Sequence, residues 1–262
     1  ALNLTGTLDV TSDTGSIIAA NAVVAAELRA SAANGAIAFT DRIGNRIAQI
    51  AGLTAGTNAT VHARNSGFTL TRDIDVGGKL TLQAGTGINQ TGGRIRATTL
   101  EANLYQTMTT GSVLLSGAND VDNVYVLAAS GGRNVVYRDI DGFNLTYAVV
   151  GNRVTLTSDA GAITQSSGIM DGIQANELIV SAVDGISLNN EWNAVRTILG
   201  LTNTAAGGIN LVSRGGDMIL GGNVAAAGQT VSLTTQNGSL SQRSGAITAR
   251  RVDAAGRTGF AH

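Results

Sequence analysis

One phrase recurs along this chain and constrains its fold more than any other feature. A Leu or Val opens a strand-like run, a second apolar residue usually follows two places on, and a Gly comes seven places after the first. The phrase joins Leu8 to Gly15, Leu28 to Gly35, Leu80 to Gly87, Leu104 to Gly111, Val154 to Gly161, Leu178 to Gly185, Val231 to Gly238 and Val252 to Gly259. Weaker copies end at Gly67, Gly142 and Gly216. Successive glycines lie 20, 32, 20, 24, 31, 19, 24, 31, 22 and 21 residues apart, and a larger unit of 72–77 residues contains three of these gaps. A period nested in this way points to a solenoid, whose repeats stack on their neighbours.

The phrase has a physical cause. Residues at its first and third positions point to the same face of a strand. The third position reads Val10, Ala30, Leu82, Gln106, Leu156, Val180, Leu233 and Ala254, apolar in all but one copy, so that face is buried. The Gly is expected to take a positive φ and end the strand. Asn34-Gly35, Asp141-Gly142, Asp184-Gly185 and Asn237-Gly238 are turn dipeptides.

Asn-Gly also suits antiparallel hairpins, but a meander alternates strand direction. Here the phrase keeps one polarity, and its gaps leave room for the crossover that parallel neighbours need. The expected fold is all-β, a right-handed parallel β-helix. It has about eleven rungs in unequal three-rung repeats of 72–77 residues, all in one solenoid over residues 1–262. At about 4.8 Å per rung the stack measures roughly 50 Å. The long gaps hold Asn119-Asp120-Val121 and Asn193-Ala194-Val195, and Asn45-Arg46-Ile47 resembles them. A wider rung or a surface loop is expected at each.

Composition agrees with stacked strands. Proline is absent, as strand ladders and stacked turns require. Cysteine is absent too, which removes disulfides, thiolate metal sites and Cys nucleophiles. Lys and Arg number 17 against 18 Asp and Glu, with no basic stripe, so nucleic acid is not an expected partner. No apolar run approaches the ~18 residues of a membrane span. The chain opens on Ala1 rather than Met and is read as an excerpt of a longer one.

The runs 154–165 (VTLTSDAGAITQ), 176–180 (NELIV), 185–189 (GISLN) and 193–195 (NAV) resemble the repeats of filamentous haemagglutinin-like exoproteins. A Gln after the glycine recurs as Gln90, Gln165 and Gln242. The resemblance covers essentially the whole chain, most clearly from Gly78 to Gly259. It implies a right-handed β-helix, export through an outer-membrane transporter by the two-partner route, and a place on the Gram-negative cell surface. The receptor, glycan or protein, is not specified by it. The family's N-terminal secretion domain and C-terminal effector regions have no counterpart in these residues.

Chemistry-bearing residues are few. His62, in an alternating strand, is expected to face outward, and His262 is the last residue. Arg72-Asp73-Ile74-Asp75 and Arg138-Asp139-Ile140-Asp141 each place two carboxylates on one strand face, as glycosidase chemistry or calcium binding would need. The favoured reading is a solvated face balanced by the adjacent Arg. Gly131-Gly132 and Gly221-Gly222 are read as turns rather than phosphate loops. Five Asn-x-Ser/Thr sequons, at Asn3, Asn58, Asn89, Asn144 and Asn237, are what chance gives in such a composition. Tyr105, Tyr125, Tyr137, Tyr147 and Trp192 could stack on sugar, but isolated packing positions are the preferred reading.

No catalytic, cofactor-binding or metal residue is assigned. The expectation is a non-catalytic structural and adhesive shaft, exposed outside the cell and self-associating end to end. A polysaccharide lyase or hydrolase on the same fold is the alternative. An ice-binding solenoid is disfavoured, because the polar column Thr11, Ser31, Gln83, Thr107, Thr157, Ser181, Thr234 and Ala255 is irregular.

Overall fold

The structure, a computed structural model, describes residues 1–105, 111–129, 133–167, 172–257 and 259–261. Gln106, Thr107, Gly131, Gly132 and His262, all invoked above, lie outside the described residues. All regular structure among the described residues is strand, and the chain divides into two units, 1–134 and 135–262. Each is a β-solenoid of parallel rungs.

In the first unit, one interior column runs Ile17, Ile37, Ala59, Leu80, Leu100 and Val124, each residue opposite the next across a parallel ladder. A second runs Leu8, Leu28, Ile50, Leu70 and Gln90. In the second unit, Phe143, Ile163, Ile186, Ile209, Val231 and Val252 form one column. Val135, Val154, Leu178, Ile198 and Leu220 form another. Like-on-like stacking of β-branched and Leu side chains fills the interior. Leu28, Leu80, Val154, Leu178 and Val231 have no exposed surface. Burying each stabilises the fold by roughly 1.5–3 kcal/mol.

The expected parallel pairing is present residue by residue, Val154 with Leu178 through Thr157 with Ser181. The phrase, however, does not mark a single column. Val154 and Leu178 share one, while Val231 and Val252 share another. Leu104 lies opposite Ala84, and the partner of Leu80 is Leu100, four residues upstream. The chain returns to the same column every 19–25 residues, from Val135 to Val154 at the short end to Ile88 to Val113 at the long one. A 31-residue gap is therefore one full return plus one further side. The same strand-then-glycine solution serves more than one corner, so it recurs on changing sides.

The glycines also serve for two reasons rather than one. Positive φ occurs at Gly87, Gly142, Gly185, Gly216 and Gly259, but not at Gly15, Gly35, Gly67, Gly111, Gly161 or Gly238. At Gly142, with φ 109°, a side chain would strain the backbone. At Gly161 the reason is close approach: a Cβ would run into the Asp141 carbonyl of the preceding rung.

The Asn-containing stretches form buried corners, not surface loops. Asn45, Asn119 and Asn193 have no exposed surface and do the same work. Their Oδ1 atoms accept the backbone N–H of Val23, Ile95 and Ile173 on the preceding rung at 2.8, 2.8 and 2.7 Å. Asn193 Nδ2 also donates to the Leu188 and Val212 carbonyls, both at 3.1 Å. The recurring glutamines complete two of these corners. Gln165 donates to Asn193 Oδ1 at 2.8 Å and accepts from Asn193 Nδ2 at 2.9 Å. Gln90 and Asn119 exchange the same two bonds at 2.9 and 3.2 Å. Where the ladder bends at a corner, these amides replace missing backbone partners, which a buried corner cannot leave unpaired.

Candidate functional site

The two Asp phrases part company. Asp73 and Asp75 are both solvent-facing, as expected. Their balance comes from the next rung rather than from Arg72: Asp73 Oδ1 accepts the Arg94 N–H at 2.9 Å, and Asp75 lies 3.9 Å from Arg96. The expectation fails at Asp139, which is 0% exposed. Its strand, Val135–Asp139, alternates with Val135, Tyr137 and Asp139 inward, so Asp139 and Asp141 do not share a solvated face. Asp139 Oδ2 accepts the Tyr137 hydroxyl at 2.7 Å, and Oδ1 accepts the Asp141 N–H at 3.3 Å. The Tyr137 ring meets Phe143 edge-on, with centroids 4.9 Å apart. The motif carries a buried hydrogen-bonded pair. Arg138 turns outward and pairs with Asp159 on the next rung at 2.7 Å, which holds its guanidinium pKa above the usual value.

His62 faces outward, as strand alternation implies, but it is covered. It is only 7% exposed, and its Nδ1 has no hydrogen-bond partner. Burial and the Arg42 charge push its pKa below the usual value, while the Thr40 carbonyl and Glu101 pull upward. The neutral imidazole is therefore favoured.

His62 opens the richest outward cluster of the first unit. It stands opposite Gln83, and Gln83 opposite Asn103. Glu101 accepts from Asn103 at 2.9 Å and from Gln83 at 3.4 Å, and pairs with Lys79 at 2.6 Å. The Tyr105 hydroxyl donates to Gln83 Oε1 at 3.1 Å. Burial raises the Tyr105 pKa, against the lowering charges of Arg42 and Arg64. Cations cover the aromatic rings: Arg64 lies 5.7 Å from the Tyr105 centroid and Lys79 4.5 Å from that of Tyr125.

The aromatic residues do not act as one group. In the second unit Tyr137 is core, whereas Trp192 is 37% exposed with Arg214 stacked 4.3 Å from its centroid. A groove in this unit, about 450 Å³, is lined by Thr164, Ser187, Asn210, Ser232 and Asp184 together with Ile163, Ile186 and Ile209.

Chemically, the Lys79, Gln83, Glu101, Asn103 and Tyr105 network offers amide, carboxylate and cationic hydrogen bonds on a rigid sheet face. Such a set suits recognition of hydroxyl-rich or polar surfaces. Among the described residues no second carboxylate is bonded to Glu101, and burial and the Arg42 charge push the pKa of the neighbouring His62 down. Among the described residues no three His, Asp or Glu side chains gather as a metal site. Sequence reasoning missed this network because the bonds that join Lys79 and Gln83 to Glu101 and Tyr105 cross 18–22 residues and only the register unites them. No family model, curated protein or solved structure matches the chain.

Proposed function

We propose that this chain is a non-catalytic, structural and adhesive shaft segment of a large secreted protein on a Gram-negative cell surface. The repeat resemblance described above supports export through an outer-membrane transporter. The shaft holds an outward face at a fixed spacing, and a surface receptor, glycan or protein, docks on that face. The observation that carries the reading is where the polar side chains are engaged. Cations and half-buried carboxylates bridge successive rungs, as in Lys79–Glu101, Arg96–Asp120 and Arg153–Glu177, rather than converging on a reacting centre. The cluster around Gln83, Asn103 and Tyr105 is the densest outward set and the proposed contact face.

The test is retention of the chain on immobilised glycans and on cultured-cell surfaces, with assay of any polysaccharide for new chain ends. The expected result is retention on at least one surface, weakened at least tenfold by Q83A/N103A/Y105A, without new chain ends. New ends from any polysaccharide, or retention that ignores the triple substitution, would overturn it.

A further inference from the structure

Arg42 and Arg64 lie on successive rungs of the first unit, joined where the Arg64 N–H donates to the Arg42 carbonyl at 2.8 Å. Neither guanidinium forms an ion pair among the described residues. The nearby carboxylates are already engaged. Asp41 Oδ1 accepts the Ile43 and Gly44 N–H groups at 3.0 and 2.9 Å, and Glu101 pairs with Lys79. Both guanidinium charges act on the Tyr105 hydroxyl, and that of Arg42 acts on His62 as well. Two unpaired cations therefore converge beside one Tyr and one His.

The orphaned nitrogen of His62 adds a second, independent observation. The ring donates to the Thr40 carbonyl and Nδ1 has no partner, so the proton sits on Nε2 and Nδ1 keeps its lone pair. The two nitrogens of an imidazole point in nearly opposite directions. With Nε2 turned to the Thr40 rung, Nδ1 is aimed towards the rung of Gln83, whose Oε1 accepts the Tyr105 hydroxyl. A buried acceptor left without a donor is uncommon and calls for a partner.

We infer that this corner binds an acidic sugar residue of a glycan, one that carries a carboxylate and free hydroxyls. The carboxylate meets the guanidinium forks of Arg42 and Arg64, whose planar donors match it. A ring hydroxyl donates to His62 Nδ1. That nitrogen is covered in the free chain, so the hydroxyl reaches it as the surrounding long side chains turn towards the ligand, the exposed Arg42 first among them. A neutral sugar would leave the cations unpaired, and a fully ionised sulfate would bring Nδ1 no donor. The inference narrows the adhesive reading to one class of ligand, and it rests on that reading for a surface glycan as the source of the sugar.

The test is titration of the full chain with sodium glucuronate and with sodium N-acetylneuraminate, followed in nitrogen–proton spectra of the imidazoles. It is run at about pH 8, above the ordinary His range. The chain has two histidines, so the His62 signals are identified by their loss in His62→Gln. The free chain should show Nδ1 as the unprotonated nitrogen. At least one sugar acid should move Nδ1 saturably upfield, the direction of an accepted hydrogen bond, and leave Nε2 little changed. Glucose and acetate, each lacking one of the two groups, and inorganic sulfate should bind at least tenfold more weakly. R42Q and R64Q should each weaken binding at least tenfold, with native strand content checked by circular dichroism, and R153Q in the second unit should match the parent. No shift with either sugar acid, an equal response to glucose or sulfate, a proton on Nδ1, or binding that ignores R42Q would each overturn the inference. Equal binding of an Asp-rich peptide would reduce the arginines to general charge attraction and overturn it too. Surface retention that Q83A/N103A/Y105A weakens, but that R42Q/R64Q and free glucuronate leave unchanged, would sink this inference and spare the adhesive reading. Sugar-acid binding without retention on any surface would do the reverse.

Discussion

Replacing Asn193 by Ala probes the corner amides most sharply. The side chain is fully buried, and its loss strands the Ile173 N–H, the Gln165 Nε2 group and the Leu188 and Val212 carbonyls, and leaves Gln165 Oε1 with the Asn190 N–H at 3.3 Å. Each buried group left unsatisfied costs about 1–3 kcal/mol, but the carbonyls keep a second lone pair and water can enter the new space. The expected loss is about 3–5 kcal/mol. Asn45 makes three bonds, to Val23, Phe39 and His62, and has no glutamine partner. Asn45→Ala should cost less, about 2–3 kcal/mol on the same scale. In the pair Q165A/N193A the loss should fall short of the sum of the singles by about 1–2 kcal/mol, since the two side chains serve each other. Denaturant titration gives the totals. Because long repeat arrays lose two-state behaviour, amide hydrogen exchange at Ile173 supplies the local reading, and it should accelerate in N193A. A loss under about 1 kcal/mol with unchanged exchange at Ile173 would refute the idea that these amides carry the corners.

Other substitutions separate the remaining features. Leu178→Asp should cost several kcal/mol by burying an unpaired charge in the column, read by thermal unfolding. Asp73→Asn with Asp75→Asn should cost less than about 1 kcal/mol, since both carboxylates are exposed, with no rescue by calcium. Tyr137→Phe should cost about 1–3 kcal/mol because it removes a donor from the buried Asp139 carboxylate, although the Asp phrases look alike in sequence. For His62, burial lowers the folded pKa below the unfolded one, so the unfolded chain binds the extra proton first. Stability should be full above the ordinary His range near pH 6.5 and fall as pH drops through it towards the folded pKa. His62→Gln should flatten that dependence in denaturation curves taken between pH 8 and pH 5.

The solenoid was legible because the same physical problem is solved many times over. A buried Leu or Val, an apolar residue two places on and a corner glycine mark the parallel rungs, and Val154 with Leu178 pairs as their spacing implies. The columns were not legible, because one phrase suits several corners and nothing in Val231 says that it stacks on Ile209 rather than on the Leu178 column. The recurring Gln165 and the Asn193 stretch were each visible alone. Their mutual bonding crosses 28 residues and needs the register. Asp139 and His62 were misread for related reasons. A strand's phase fixes which residues alternate inward, and Tyr137, not the neighbouring Arg138, sets the phase that buries Asp139. Alternation cannot show that the outward His62 is covered, beside Arg42 and Glu101.

The central claim is that successive rungs stack in parallel, residue on residue. Nuclear Overhauser contacts between residues 154–157 and 178–181 test it most directly. The outward-facing Thr155 should contact Ile179, and Thr157 should contact Ser181, in the same order along both strands. Contacts in the reverse order, Thr155 with Ser181 and Thr157 with Ile179, would contradict the parallel stack and every argument built on its columns.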